Sequence, residues 1–232
     1  LSYIQKKMKK INQKIPAYGI FEYLNHLESL LKEKNAVNTK EQFLDAKFLE
    51  KALSIRAAYW VADVLKKLSQ KGMKKKTAMN DLYAQDILAM SRNHHLYMSY
   101  LIYVQDVDKL QPKDKNIKPH LVLLGKIFAL KRLLEDSSTL YETGFFTTGA
   151  KQAMGAAMEQ LLRILRPQMI PLVELESDEM QDKSYLSAIG NKYGDIYERQ
   201  LELAMNSRLN KVPKAPFWDE KVKPLLGGRS KL

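Results

Sequence analysis

The chain has 232 residues, 45% of them hydrophobic, enough to bury a sizeable core in one large or two small domains. It contains no cysteine, which excludes a disulfide framework and any thiol chemistry. Lys and Arg outnumber Asp and Glu by 38 to 26, a net charge of +12 that would favour polyanions at low salt.

That charge is scattered over Lys6, Lys7, Lys9 and Lys10, over Lys71 and Lys74 to Lys76, and over Lys113, Lys115 and Lys118. No helix-turn-helix, zinc-finger or RNP pattern accompanies it, so the lysines are expected to be solvated faces and helix ends, with no nucleic-acid partner. The longest uncharged run, Asn93 to Gln105, is well short of the roughly 20 residues that span a bilayer, so no membrane span is expected. The chain opens on Leu1 without a signal or transit peptide, and is expected to be the C-terminal piece of something longer.

In chain order, Ile4, Met8, Ile11 and Ile15 put an apolar stripe on an amphipathic helix that Pro16 stops. Gly19 to Leu31 is a second helical segment, and Asn35 to Thr39 a loop. Thr39 and Gln42 form a capping-box pattern, and Phe43, Leu49, Leu53, Ala57, Trp60, Val64 and Leu68 predict one long helix from there to Gly72. Asn80 or Asp81 is the expected cap of a helix whose face runs through Tyr83, Ile87, Met90, His94, Tyr97, Leu101 and Val104 to a stop near Pro112.

Pro119 suits a first helical turn, and Leu121, Leu124, Phe128 and Leu133-Leu134 carry that helix toward Gly144. After the turn Gly144 to Thr148, a further helix follows through Ala150, Ala153, Ala157, Leu161, Ile164 and Leu165. Gly155 and Ala156 are expected to admit a close neighbour. A short helix from Pro167, an acidic loop from Glu174 to Asp182, and a last twenty residues unable to continue a helix complete the chain, with Phe217, Trp218, Leu225 and Leu226 as anchors. No strand alternation or solenoid period occurs, so the fold class is all-α, a helical bundle.

The chain ends Gly228-Arg229-Ser230-Lys231-Leu232. A terminal Ser-Lys-Leu is the address read by the peroxisomal import receptor, which makes Ser230, Lys231 and Leu232 targeting residues, that receptor a partner and the peroxisome the expected compartment.

Just upstream, Gly190, Gly194, Tyr197, Glu198, Arg199, Glu202, Ala204, Asn206, Ser207, Leu209 and Asn210 fall, without a gap, in the register of the pattern G-R-Y-D-G-N-V-Y-E-R-L-x-E-W-A-K-N-S-P-L-N. This stretch resembles the C-terminal signature of the peroxisomal acyl-CoA oxidases. Ala58 to Trp60 is similar to branched-chain, pristanoyl-type relatives. The departures include Lys192-Tyr193 for the family's Tyr-Asp and Leu203 for its tryptophan.

The resemblance implies the C-terminal portion of a flavoprotein that removes the α and β hydrogens of an acyl-CoA and passes electrons through FAD to O₂. It implies acyl-CoA as substrate, FAD held mainly by a missing upstream part, upstream oxidase domains as partners, and a homodimer. The family's glutamate base lies in a Gly-Glu-Asn type motif that does not occur here, so no catalytic residue is expected in this chain. Residues 1–35 would end the flavin-side domain, 36–212 form the oxidase-like helical domain, and 213–232 an extended tail. The apolar faces of Leu1 to Leu31 and those around Ala57 and Ala153 would meet the upstream part.

The residues themselves name no cofactor or metal site. His94 and His95 point about 100° apart on a helix and cannot share one metal; His94, on the apolar stripe, is expected to be a hydrogen-bonded core histidine. Ser91 and His94 resemble a Ser-x-x-His arrangement in the oxidases. Tyr197 and Glu198 could form an acid pair, but an exposed ion pair is expected there, and Trp60, Tyr97 and Phe128 are expected in the core. Gly227-Gly228 precedes no helix and is no phosphate loop. The alternative reading is a stand-alone helical interaction module imported into peroxisomes without flavin chemistry.

Overall fold

A computed structural model describes residues 2–35, 37–70, 77–113, 117–170, 172, 196–212, 214–215 and 217–226. They fall into two compact units, Leu1–Arg166 and Pro167–Leu232. Among the described residues there are helices and turns and no strand.

In the first unit, α1 (Ser2–Asn12) buries Ile4 and ends at Asn12, and Lys14, with a φ of 63°, turns the chain before Pro16. The predicted second helix divides into a 3-10 helix, Gly19–His26, and α2 (Leu27–Lys32). Asn25 holds the approach to it, accepting from the Ala17 amide and donating to the Ala17 carbonyl, both at 2.8 Å.

The capping box forms as expected. The Thr39 hydroxyl accepts from the Gln42 amide at 3.4 Å and the Gln42 side chain accepts from the Thr39 amide at 3.1 Å. The helix it starts is short, however. α3 (Lys40–Leu44) stops at Asp45, whose extended backbone closes α3 while its carboxylate accepts from the Lys47 amide to open α4 (Ala46–Leu68). The predicted single helix is thus two, and the second ends at Leu68, ahead of Gly72. An N-cap carboxylate outweighs continued apolar spacing here.

α4 is the axis of this unit. Leu49, Ala52, Leu53, Ile55, Ala57, Ala58, Val61 and Val64 are all at most 1% exposed and lie around most of its circumference, as on a helix with neighbours on several sides. Those neighbours are α2, α3, α5 (Ala84–Lys109), α6 (Ile117–Glu135) and α7 (Ser138–Glu142). Ala57 is therefore interior, not a free face, whereas Tyr3, Ile15 and Tyr18 remain exposed.

α5 carries no side-chain cap; a π turn, Ala78–Leu82, leads into it, and neither Asn80 nor Asp81 takes the expected cap role. Its buried line is Met90, Asn93, Tyr97, Tyr100 and Val107, which adds two polar side chains to the predicted stripe. Asn93 donates to the Ala89 carbonyl at 3.0 Å, and the Tyr100 hydroxyl donates to the Ala46 carbonyl at 3.2 Å, so neither is buried without a partner.

α6 has Pro119 in its first turn and ends at Glu135, short of the expected Gly144, because α7 intervenes. Gly144 and Gly149 hold φ of 74° and 96°, and the turn between them ends where α8 (Ala150–Leu165) begins. Phe145 and Phe146 of this turn lock against Phe48 and Phe43, each pair 5.4 Å between ring centroids. Asn38 reaches the same turn, accepting from the Thr147 amide at 2.7 Å. α8 buries Ala150, Met154, Ala157, Leu161 and Leu165, with Ile164 exposed against expectation.

The close-approach glycine is not Gly155, where an added Cβ would meet nothing within 4 Å. Among the described residues it is Gly125 on α6, where a Cβ would sit 2.9 Å from Cε1 of Tyr103 on α5.

In the second unit, α9 (Ile196–Asn206) is followed by a 3-10 turn, Arg208–Lys211. Where no helix is expected, Trp218–Val222 forms a π turn and Lys223–Leu226 a 3-10 turn, with Phe217, Leu225 and Leu226 exposed rather than anchored. Local i to i+4 hydrogen bonds such as Lys221 amide to Phe217 carbonyl, 2.9 Å, are satisfied by a single turn and need no continued helix.

Candidate functional site

Of the family-signature residues, Gly190 and Gly194 lie outside the described residues, as do Ser230, Lys231 and Leu232. The rest of the signature is on α9 and the turn after it. Tyr197 and Glu198 are exposed on the first turn of α9, with Arg199 next along the helix. Asn206 is its last residue.

The remaining signature residues stop that helix. Ser207 accepts from the Leu209 amide at 3.3 Å and caps the 3-10 turn, while the Asn210 side-chain amide donates to the Ala204 carbonyl at 2.8 Å. A helix leaves its last carbonyls without intrahelical donors, and Asn210 supplies one. Asn-Ser-x-Leu-Asn is here a helix-termination device.

His94 sits on α5 with its Nδ1 2.8 Å from the Tyr23 hydroxyl, and its ring stacks near Phe21 and Tyr23 at centroid distances of 5.1 and 5.7 Å. It is the hydrogen-bonded histidine the sequence leads one to expect, half-buried among aromatic rings. Burial lowers its pKa below the ordinary histidine value, with a smaller push from neighbouring His95. Burial likewise raises Tyr23 and pushes Tyr97 up to about 12. The group is neutral and packed at pH 7. Of the other aromatic residues, Tyr97 is core, while Trp60 and Phe128 are only half-buried.

Among the described residues of the first unit, two cavities bear on function. One, about 350 Å³, lies between α5 and α6 and is lined by Ser99, Tyr100, Tyr103, Leu124, Gly125 and Phe128. Gly125 makes the room, and Tyr103 holds its wall by donating to the Leu121 carbonyl at 2.8 Å. This cleft is apolar.

The other, about 290 Å³, lies where α4, α5 and the end of α6 meet, and contains Arg56, Arg92 and Arg132. Arg56 is the interior residue that periodicity does not single out. It is 1% exposed, and its Nη1 donates to the carbonyls of Arg132 and Asp136 at 2.7 and 2.6 Å. These are carbonyls at the C-terminal end of α6, where the helix dipole favours a cation.

Burial pulls the Arg56 guanidinium down to about 10, opposed by the Asp136 carboxylate, so it stays charged at neutral pH. The signal in the sequence is a lone arginine inside Leu53-Ser54-Ile55-Arg56-Ala57-Ala58. Among the described residues no group of three or more His, Asp or Glu could hold a metal, and no helix is long and apolar enough to cross a membrane.

The sequence profile of the family described as acyl-CoA oxidase matches residues 45–227, from the cap of α4 into the second unit. The chain belongs to the acyl-CoA oxidase family. It is 27% identical over 212 residues to peroxisomal acyl-coenzyme A oxidase 1 of Phascolarctos cinereus, a match covering 89% of this chain and 32% of that one.

Its fold is that of a tomato (Lycopersicon esculentum) acyl-CoA oxidase, at a TM-score of 0.72 and 23% identity, covering 97% of this chain and 34% of the tomato chain. A Caenorhabditis elegans acyl-CoA oxidase-1, solved in complex with FAD and ATP, matches at a TM-score of 0.68 and 20% identity, covering 97% and 33%. The chain thus spans about a third of the length of the oxidases it matches. These relatives are oxidoreductases, and the helical bundle described above corresponds to that third.

Proposed function

We propose that this chain is the C-terminal helical part of an FAD-dependent peroxisomal acyl-CoA oxidase, which converts an acyl-CoA and O₂ to the trans-2-enoyl-CoA and H₂O₂. Its part in that reaction is structure, assembly and import, with the catalytic base outside these 232 residues. The observation that carries this reading is the family match over residues 45–227 on a chain one third as long as its relatives.

Several features support it. The C. elegans relative was solved with FAD. The FAD contacts are assigned mainly to the upstream part, as the family resemblance implies. Exposed Tyr3, Ile15 and Tyr18 offer that part an apolar surface on the N-terminal elements. The terminal Ser230-Lys231-Leu232 is the import address, and a homodimer the proposed assembly.

Peroxide release from palmitoyl-CoA tests the reading. The chain alone, with FAD added, should give none, and the same chain joined to the upstream two thirds should give a flavin-containing, active enzyme. Activity from the chain alone, or an upstream portion fully active without it, would overturn the proposal.

A further inference from the structure

The cavity between α4, α5 and the end of α6 holds more guanidinium than its surroundings satisfy. Arg56 commits Nη1 to two carbonyls, but its buried Nε and Nη2, and the buried Nε of Arg132, have no hydrogen-bond partner among the described residues. Both carboxylates at the cavity are already engaged. Glu135 accepts from Arg132 at 2.7 Å, and Asp136 accepts from the Ser138 hydroxyl at 3.1 Å.

Arg92, exposed on α5, makes no hydrogen bond or ion pair among the described residues. Three arginines thus face two carboxylates, leaving one positive charge unmatched beside unsatisfied buried donors. A guanidinium presents its N–H groups in a planar fork that matches two oxygens of a phosphate or carboxylate. The rest of the lining is mixed, with Gln85 and Asn93 polar and Leu88, Ala89 and Leu96 forming an apolar wall.

We infer that this cavity binds the oxyanion group of a small organic ligand, a phosphate or a carboxylate, received by Arg92 with Arg56 and Arg132 behind it. The apolar wall takes the body that carries the anion. At about 290 Å³ the cavity has room for more than a bare ion. The inference is independent of the flavin chemistry assigned to the whole protein.

Titration of the full 232-residue chain with phenyl phosphate and with benzoate, followed by calorimetry and by the arginine Nε–H resonances, tests it. Saturable binding is expected, shifting the Arg56 and Arg132 resonances. Arg92→Ala should weaken it about tenfold, the equivalent of one charged hydrogen-bonded contact. Arg92→Lys, which keeps charge but loses the fork, should weaken it less and serves if the alanine variant does not fold. Lys10→Ala, removing an exposed charge on α1, should change nothing. Preference for phenyl phosphate would mark a phosphate ligand, and preference for benzoate a carboxylate one; either supports the site. No saturable binding of either probe up to about 10 mM, or equal weakening by Lys10→Ala, would overturn it.

Discussion

Arg56, at the centre of α4, donates to the carbonyl oxygen of Asp136 from 2.6 Å, closing the end of α6 from eighty residues away in sequence. The same nitrogen holds the Arg132 carbonyl, so one buried cation ties two helices of the bundle. Removing a buried charged group that satisfies two carbonyls leaves both without donors and opens a cavity. Arg56→Ala should lower stability by about 3 kcal/mol, read as a lower urea midpoint at unchanged slope. Arg56→Met, which refills the volume but not the hydrogen bonds, should lose about 1–3 kcal/mol.

His94 should make stability fall with acid. Its folded-state pKa is depressed by burial, so the unfolded chain binds the proton more readily. Its contribution is therefore complete above the ordinary value of 6.5 and is lost as pH drops below it toward the folded value. Urea unfolding at about pH 7.5 and about pH 5.5 should show a loss for the natural protein that is smaller in His94→Phe. An equal loss in both would show that other groups set the acid sensitivity.

Gly125 and Tyr103 should be energetically coupled. Gly125→Ala gains about 1 kcal/mol of helix propensity, but its Cβ would meet Tyr103 Cε1 at 2.9 Å, and that ring is held by its bond to the Leu121 carbonyl. Overpacking of this kind costs about 1–3 kcal/mol, so net destabilisation is expected. In a Tyr103→Ala background the obstacle is gone and Gly125→Ala should stabilise. A double-mutant cycle reads the change of sign.

Deleting Leu232 should abolish import without affecting the fold, because a receptor that reads the terminal carboxylate with Lys231 and Ser230 loses its register. A fluorescent fusion should coincide with peroxisomal markers and become cytosolic on the deletion, with thermal unfolding unchanged. Persistent punctate signal would assign import to an associated partner.

The site residues divide by the range of the interactions that define them. His94 was legible because its place on the apolar stripe of α5 follows from local spacing; that Tyr23 is its partner was not. The role of Asn210 was hidden for a different reason: the signature shows which residue types occur, not that one amide turns back to the Ala204 carbonyl. Arg56, Asn93 and Tyr100 were missed as interior residues because a polar side chain is buried only when a partner exists, and two of those partners lie far along the chain.

The sequence by itself determined the all-helical class, the capping box at Thr39 and Gln42, the start near Pro119 and most of the buried stripe of α8. It also carried the family signature and the terminal Ser-Lys-Leu. Caps and stripes depend on residues three or four apart, which a single chain displays directly. Tertiary structure decided that Gly125 and not Gly155 takes a close neighbour, and that Asn38 secures the turn at Thr147. It also gathered Arg56, Arg92 and Arg132 around one cavity. Those outcomes depend on which elements meet, and that is set by packing between segments far apart in the chain rather than by any local run of residues.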